Sequence, residues 1–152
     1  MVETSLVLVK PDGVQRGLIG EVISRLERKG LKLVGSKMLW MDEERASRHY
    51  EEHREKKFYG ELVAFITSGP VLAMAWEGRN AIAEIRKMLG ATDPLEALPG
   101  TIRGDLALFM SNNIVHASDG AESARRELKI FFDPEEIVNY ERDISRWIGY
   151  KQ

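Results

Sequence analysis

Histidine is scarce in this chain, and its placement is uneven. Of three histidines, His116 ends a short apolar run, Ile114-Val115, and is followed at once by Ala117, Ser118, Asp119 and Gly120. Small residues leave room beside an imidazole for something bulky. A carboxylate, Glu127, lies on what reads as the next helix, within reach for orienting one ring nitrogen. A neutral imidazole held in this way is a general base or a nucleophile. The plainer reading is a buried histidine satisfied by hydrogen bonds, and spacing alone leaves the two open. His49 and His53 stand four apart on one helix. That spacing could ligate zinc, but "HYEEH" lacks the H-E-x-x-H order and no third ligand stands out, so an exposed helix face is favoured.

Phosphate chemistry is the other possibility. Neither GxxxxGK[ST] nor GxGxxG occurs, so a nucleotide would not be held by the usual strand–loop–helix cradle. The candidate cations are single: Lys10 after the first strand, Arg86 on a helix, and Arg103 at the end of a long loop. Arginine suits phosphate because its planar fork donates in pairs. For each cation the bland alternative is a solvated surface charge. Lys10 is the least bland, because it ends an apolar strand where a charge must find a partner or reach solvent.

Bulk properties narrow the class. With 152 residues, 43% of them hydrophobic, the chain reads as one domain, residues 1–152, able to bury a substantial core. Lys+Arg number 22 against 24 for Asp+Glu, so the electrostatic grip of a nucleic-acid binder is not expected. No cysteine is present, which excludes disulfides, thiolate zinc sites and a thiol nucleophile. The N-terminal "MVETSLVLVKPDG" carries Glu3 and no long apolar core, so it does not read as a signal peptide. No apolar run is long enough to cross a bilayer, and a cytoplasmic setting is the expectation.

The elements that must position these residues follow from periodicity. Ser5–Val9 reads as a strand closed by the "KPDG" turn. Leu18, Ile19, Val22, Ile23 and Leu26 share a helical face, with Gly30 as C-terminal cap. Leu31–Trp40 reads as a strand, and Asp42 caps a helix through His53. "GELVAFITS" is a short helix, Val71–Trp76 a buried strand, and Asn80 to Gly90 a capped helix. Residues 91–105 form a long loop, a frequent place for function. Asp119-x-x-Glu122 is expected to open a helix as a capping box, and Asp133-Pro134-Glu135-Glu136 to open the last one. Alternation alone suggests a parallel α/β sheet. A four-stranded α+β sandwich with helices on one face is equally compatible.

At this point "NNIVHASDG" resembles the active-site segment of the nucleoside diphosphate kinases, N-x-x-H-[GA]-S-D. "LVLVKPDGVQRGLIGEVISRLERKGLKLV" is similar to the N-terminal segment of that family. "HYEEHREKKFYGELVAFITSGPVLAMAWEG", "IRKMLGATDP" and "PGTIRGD" are similar to its central blocks, in the same order. The resemblance covers essentially the whole chain. Ala117, Lys57, Asp93, Leu106 and Gly120 depart from common residues, none at a phosphate or histidine position.

The resemblance implies a ferredoxin-like α+β sandwich with a four-stranded antiparallel sheet, in place of the parallel one. It implies reversible ping-pong transfer of a terminal phosphate from a nucleoside triphosphate, chiefly ATP, to a diphosphate through a phosphohistidine on His116. Ser118 and Glu127 would orient His116, with Tyr50 beside it. Lys10, Arg86, Thr92 and Arg103 would hold phosphates, and Lys10 and Asn113 would reach the ribose. Phe58 would stack on the base with Met110 on its other side, and His53 would lie at the phosphate end. Mg2+ would be bridged by nucleotide phosphates, with no direct protein ligand. A homohexamer is implied, with the long loop near subunit contacts. Ile114 is expected at positive φ. The competing reading is a nucleotide-binding regulatory module on the same scaffold without turnover.

Overall fold

The structure is a computed structural model and describes residues 1–150. In chain order the elements are β1 (Val2–Val9), α1 (Pro11–Gln15), α2 (Ile19–Lys29), β2 (Lys32–Trp40), α3 (Glu43–His49), α4 (Tyr59–Ile66), β3 (Pro70–Arg79), α5 (Ala81–Leu89), α6 (Ile102–Leu106), β4 (Val115–Ala117) and α7 (Ala121–Phe131). The strands form one four-stranded sheet in the order β2-β3-β1-β4. Every pairing is antiparallel. This is the ferredoxin-like arrangement, and it removes the parallel sheet that simple alternation suggested. The physical reason is that β3 inserts between β1 and β2. Strands that are neighbours in sequence order are therefore not all neighbours in the sheet.

The central strands are buried on both faces. Leu6, Leu8, Ala73 and Ala75 join one apolar cluster with Ala46 of α3, Ile66 of α4 and Ile130 and Phe131 of α7. Val7, Val9, Met74 and Trp76 join another with Val22 and Leu26 of α2 and Ile85 and Leu89 of α5. Successive side chains of a strand point to opposite faces. The helices therefore cover both faces of the sheet, not one. The unbroken apolar run of Leu6 to Val9 is the sequence signature of that double burial.

Three local expectations need correction. The helix begun by Asp42 does not run through to His53. It stops at His49, and Glu51–His53 is a 3₁₀ turn. Gly120, with no side-chain bond, is the N-cap of α7, so Asp119 makes no capping box; its carboxylate bonds Ser123. Asp133 and Glu136 do form a capping box, yet the segment they open is only a 3₁₀ turn, Pro134–Glu136. The long loop carries a short helix of its own, α6, capped by the Thr101 hydroxyl accepting from the Gly104 N–H at 3.0 Å.

Candidate active site

His116 is delivered by β4, a strand of three residues that pairs with β1 in the register Val7↔Ala117, Leu8↔His116 and Val9↔Val115. Val115 and Ala117 belong to the α2–α5 core. His116 alternates to the other face, among α3, α4 and α7. There Glu127, on α7 and 3% exposed, places Oε1 2.5 Å from His116 Nε2. A carboxylate only accepts, so Nε2 carries the proton and Nδ1 is left with its lone pair.

Ser118 acts on the imidazole through Glu127. Its Oγ accepts the Leu6 N–H at 3.1 Å, and its hydroxyl also hydrogen-bonds Glu127. It thus fixes the carboxylate that fixes the ring. Burial raises Glu127 above its ordinary carboxyl value. His116 lies well below 6.5, first through burial and then through the charges of Lys10, Arg103 and Arg86. The imidazole is accordingly neutral near pH 7, the state that can attack.

Backbone strain aims this strand. Ile114, fully buried, has φ 72°, as expected from the resemblance. The Val115 N–H donates to the Asn113 carbonyl at 2.8 Å across it. That i→i+2 bond with a positive central φ is a γ-turn of the rarer, more strained kind. Its surroundings hold it in place. The Lys10 N–H donates to the Ile114 carbonyl at 2.8 Å, and the Ile114 N–H donates to Asp12 Oδ2 at 3.0 Å. Gly13 is required here, since an added Cβ would lie 2.7 Å from Val9 Cγ1 and 3.0 Å from Ile114 Cγ2. The "KPDG" stretch, read from sequence only as a strand-ending turn, therefore grips the backbone that carries His116.

The cations converge. The Lys10 ammonium donates to Asn113 Oδ1, while Asn113 Nδ2 donates to the Thr92 carbonyl at 2.9 Å. Burial lowers Lys10 to about 8; the charge of Asp12 opposes that shift and the charge of Arg103 adds to it. Arg86 is exposed on α5, and its Nη1 donates to the Ala117 carbonyl at 3.4 Å. Arg103 is only 4% exposed, and its guanidinium donates to the carbonyls of Asn113, Gly90 and Val115 at 3.3, 3.0 and 2.7 Å. It ties the end of α5 to the His116 strand as well as adding positive charge. Burial, then repulsion from Arg86, pulls Arg103 down to about 10. Two side-chain N–H groups remain beyond the three in these bonds.

The rings line up from the surface inward. Phe58 is 45% exposed. Its centroid lies 5.9 Å from that of His53, which is 6.3 Å from Tyr50. Tyr50 is 4.7 Å from His49, which meets His116 edge-on at 4.7 Å. Burial pushes the Tyr50 phenol up to about 12, so it stays protonated. Met110, 57% exposed, opens a 3₁₀ turn over Met110–Asn112. His49 overturns the exposed-helix reading. It is 5% exposed, wedged between His116 and Phe131, and neither ring nitrogen has a hydrogen-bond partner. No local pattern predicts this, because both contacts come from residues far along the chain.

Comparison with known proteins bears on the family. A family model described as nucleoside diphosphate kinase matches residues 3–137. The nucleoside diphosphate kinase of Archaeoglobus fulgidus is 60% identical over 146 residues, covering 96% of this chain and 97% of that protein. The one from Pyrococcus horikoshii is 58% identical over 143 residues, covering 92% and 91%. Among solved structures, the halophilic nucleoside diphosphate kinase of Halobacterium salinarum in complex with CDP superposes with a TM-score of 0.94 at 52% identity, covering 97% of this chain and 99% of that one. A transition-state mimic of the Borrelia burgdorferi enzyme, with bound vanadate and ADP, superposes with a TM-score of 0.94 at 41% identity, covering 99% and 98%. A family match across most of the chain, relatives this similar at nearly full coverage, and a histidine seated between a carboxylate and three cations lead to one assignment: the chain belongs to the nucleoside diphosphate kinase family.

Proposed function

We propose that the phosphoryl transfer of this family runs in this chain through Nδ1 of His116. The observation that carries the reading is the 2.5 Å contact between His116 Nε2 and Glu127 Oε1, which leaves Nδ1 as the free nitrogen. The reaction moves the terminal phosphoryl group of a nucleoside triphosphate to a nucleoside diphosphate. In the first half, Nδ1 attacks the terminal phosphorus; the N–P bond forms, the bridging P–O bond breaks, and the diphosphate leaves. The ring becomes cationic, and its Nε2 proton is shared with the Glu127 carboxylate. The second half is the reverse, with the acceptor diphosphate attacking. A phosphoramidate suits this cycle because it stores the group at nearly the free energy of the anhydride, whereas a serine ester would hold it too firmly.

The transition state is loose and its charge is spread over the equatorial oxygens, so the protein mainly positions and neutralises. Lys10, Arg86 and Arg103 supply that charge, with Thr92 and His53 at the phosphates. Lys10 and Asn113 reach the ribose, and Phe58 and Met110 enclose the base. Tyr50 packs on His49 and so backs His116 indirectly. Among the described residues the one cluster of potential metal ligands is rich in nitrogen, which does not suit a hard ion. Mg2+ therefore fits as a passenger on the nucleotide phosphates, where it neutralises charge. A regulatory module without turnover would need no intact set of nucleophile, carboxylate and cations, so turnover is the better account. We place the chain in a homohexamer, as the family resemblance implies, and the reaction in the cytoplasm. No helix among the described residues is long and apolar enough to cross a membrane.

The test is direct. Incubate the protein with terminally labelled ATP, remove the nucleotide, and look for acid-labile label that moves to added GDP. Label that never enters the protein would overturn the reading.

A further inference from the structure

His49 presents an unexplained cost. A buried polar group without a partner is destabilising, and native structures keep few. Here an imidazole 5% exposed has both nitrogens unpaired, while lying edge-on against the His116 ring. The phosphotransfer cycle gives it no task beyond packing.

One ring nitrogen of His49, one of His116 and a carboxylate oxygen of Glu127 lie within 4.8 Å of one another. Two imidazoles and one carboxylate are a donor set that zinc uses when it keeps a fourth position open. Donors on a tetrahedral zinc with bonds of about 2.1 Å stand roughly 3.4 Å apart, so the ion seats when the His116–Glu127 pair, now hydrogen-bonded at 2.5 Å, opens by roughly 1 Å and the His49 nitrogen moves in. His49 and Glu127 are almost fully buried, which screens that side from water, while the His116 side chain is 29% exposed. Only these three donors meet there among the described residues, so a fourth position is left for water or another small ligand.

We propose that His49, His116 and Glu127 form an inhibitory site for Zn2+, occupied when the cleft holds no nucleotide. The metal takes Nε2 of His116, where the proton now sits. That proton shifts to Nδ1, which then has no lone pair to offer phosphorus. Zinc on one face of the imidazole so disarms the nitrogen on the other. Mg2+, which prefers oxygen donors, does not compete for this nitrogen pair. The binding site itself stands on the geometry; its inhibitory effect rests on the assignment of His116 as nucleophile.

Equilibrium dialysis of the nucleotide-free protein against ZnCl2, with MgCl2 as control, tests the site without reference to activity. One Zn2+ per chain should bind saturably, and Mg2+ should not displace it. His49→Phe keeps an aromatic ring in the slot and should weaken zinc binding at least tenfold; His116→Ala should do the same. His53→Gln should not change it, because His53 lies on the following 3₁₀ turn and outside the cluster. Unaltered binding in His49→Phe and His116→Ala, or no saturable binding in the parent, would overturn the site. In parallel, zinc added before labelled ATP should block entry of label, and a chelator should restore it. Saturable binding that leaves labelling untouched would overturn the inhibitory role. A protein that takes no label even without zinc would refute the assigned nucleophile and leave the dialysis result standing.

Discussion

Glu127 lies 11 positions beyond His116, on the helix that follows its strand, and the two side chains meet at 2.5 Å. Their contact divides labour between the two ring nitrogens. Nε2 is committed to the carboxylate, and Nδ1 is free. His116→Ala should remain folded, since β4 is held by its backbone pairing with β1. Phosphotransfer should fall by roughly four orders of magnitude or more. Glu127→Gln keeps the shape but removes the negative charge that stabilises the ring cation. It should cost about two to three orders of magnitude. Steady-state assays of both variants check this, and a His116→Ala protein retaining a tenth of the activity would sink the mechanism.

The pH profile follows from two depressed groups. His116 lies below 6.5 in the fold, so it remains neutral and active as pH falls to that value, and no acid limb should appear near 6.5. Lys10 loses its proton near 8 in the free protein, so kcat/KM for nucleotides should decline above that pH. Lys10→Arg, which stays charged, should move that limb upward. For a depressed His the unfolded chain binds more protons below 6.5, so the contribution of His116 and His49 to stability falls as pH drops through 6.5. For Lys10 the unfolded chain holds its proton up to 10.5, so its contribution to stability rises between about 8 and 10.5 even as activity declines. A pH-rate profile and urea titrations across pH read both.

Strain at Ile114 can be isolated by comparing two truncations. Ile114→Ala and Ile114→Gly both remove a fully buried side chain, but only glycine relaxes φ 72°. Elsewhere in a fold glycine is the less stable of the two; here Ile114→Gly should be the more stable by about 1 kcal/mol. Denaturant midpoints compare them. The reverse order would mean the turn holds no strain.

Phe58 is exposed at the outer end of the ring series. An aromatic face stacks on any base and reads no hydrogen-bond pattern, at about 1–3 kcal/mol per base. Phe58→Ala should weaken nucleotide binding by roughly one to two orders of magnitude, most for purines, and touch the chemical step far less. Binding of ADP, GDP, CDP and UDP to parent and variant is the measurement. Unchanged affinity for all four would remove the stacking role.

Assembly is open to a single run in the ultracentrifuge. Leu95, Leu98 and Leu108 in and after the long loop are more than 70% exposed in the isolated chain. Apolar side chains so placed fit the hexamer proposed for this chain. Sedimentation as a monomer at micromolar concentration would contradict it.

Residue type and spacing along the chain were enough for the chemistry of the site and for most of the elements. Residue type and spacing located His116 at a strand end with a carboxylate on the next helix. The breaks at Gly30 and Gly90 and the exposure of Phe58 were likewise local, and local preferences are written in the chain. Block order across the whole chain, read as a family resemblance, supplied the antiparallel sheet and the positive φ of Ile114. Which groups meet is a property of the folded chain. The placement of β3 between β1 and β2 set the antiparallel pairing and covered the sheet on both faces. Packing of α3 against α7 turned His49 inward onto His116 and Phe131. The fold also commits three donors of Arg103 to backbone carbonyls, where the chain alone shows only a cation on a loop. Such contacts join residues distant in the chain, so no window of sequence contains both partners, and burial of a polar ring depends on what packs over it.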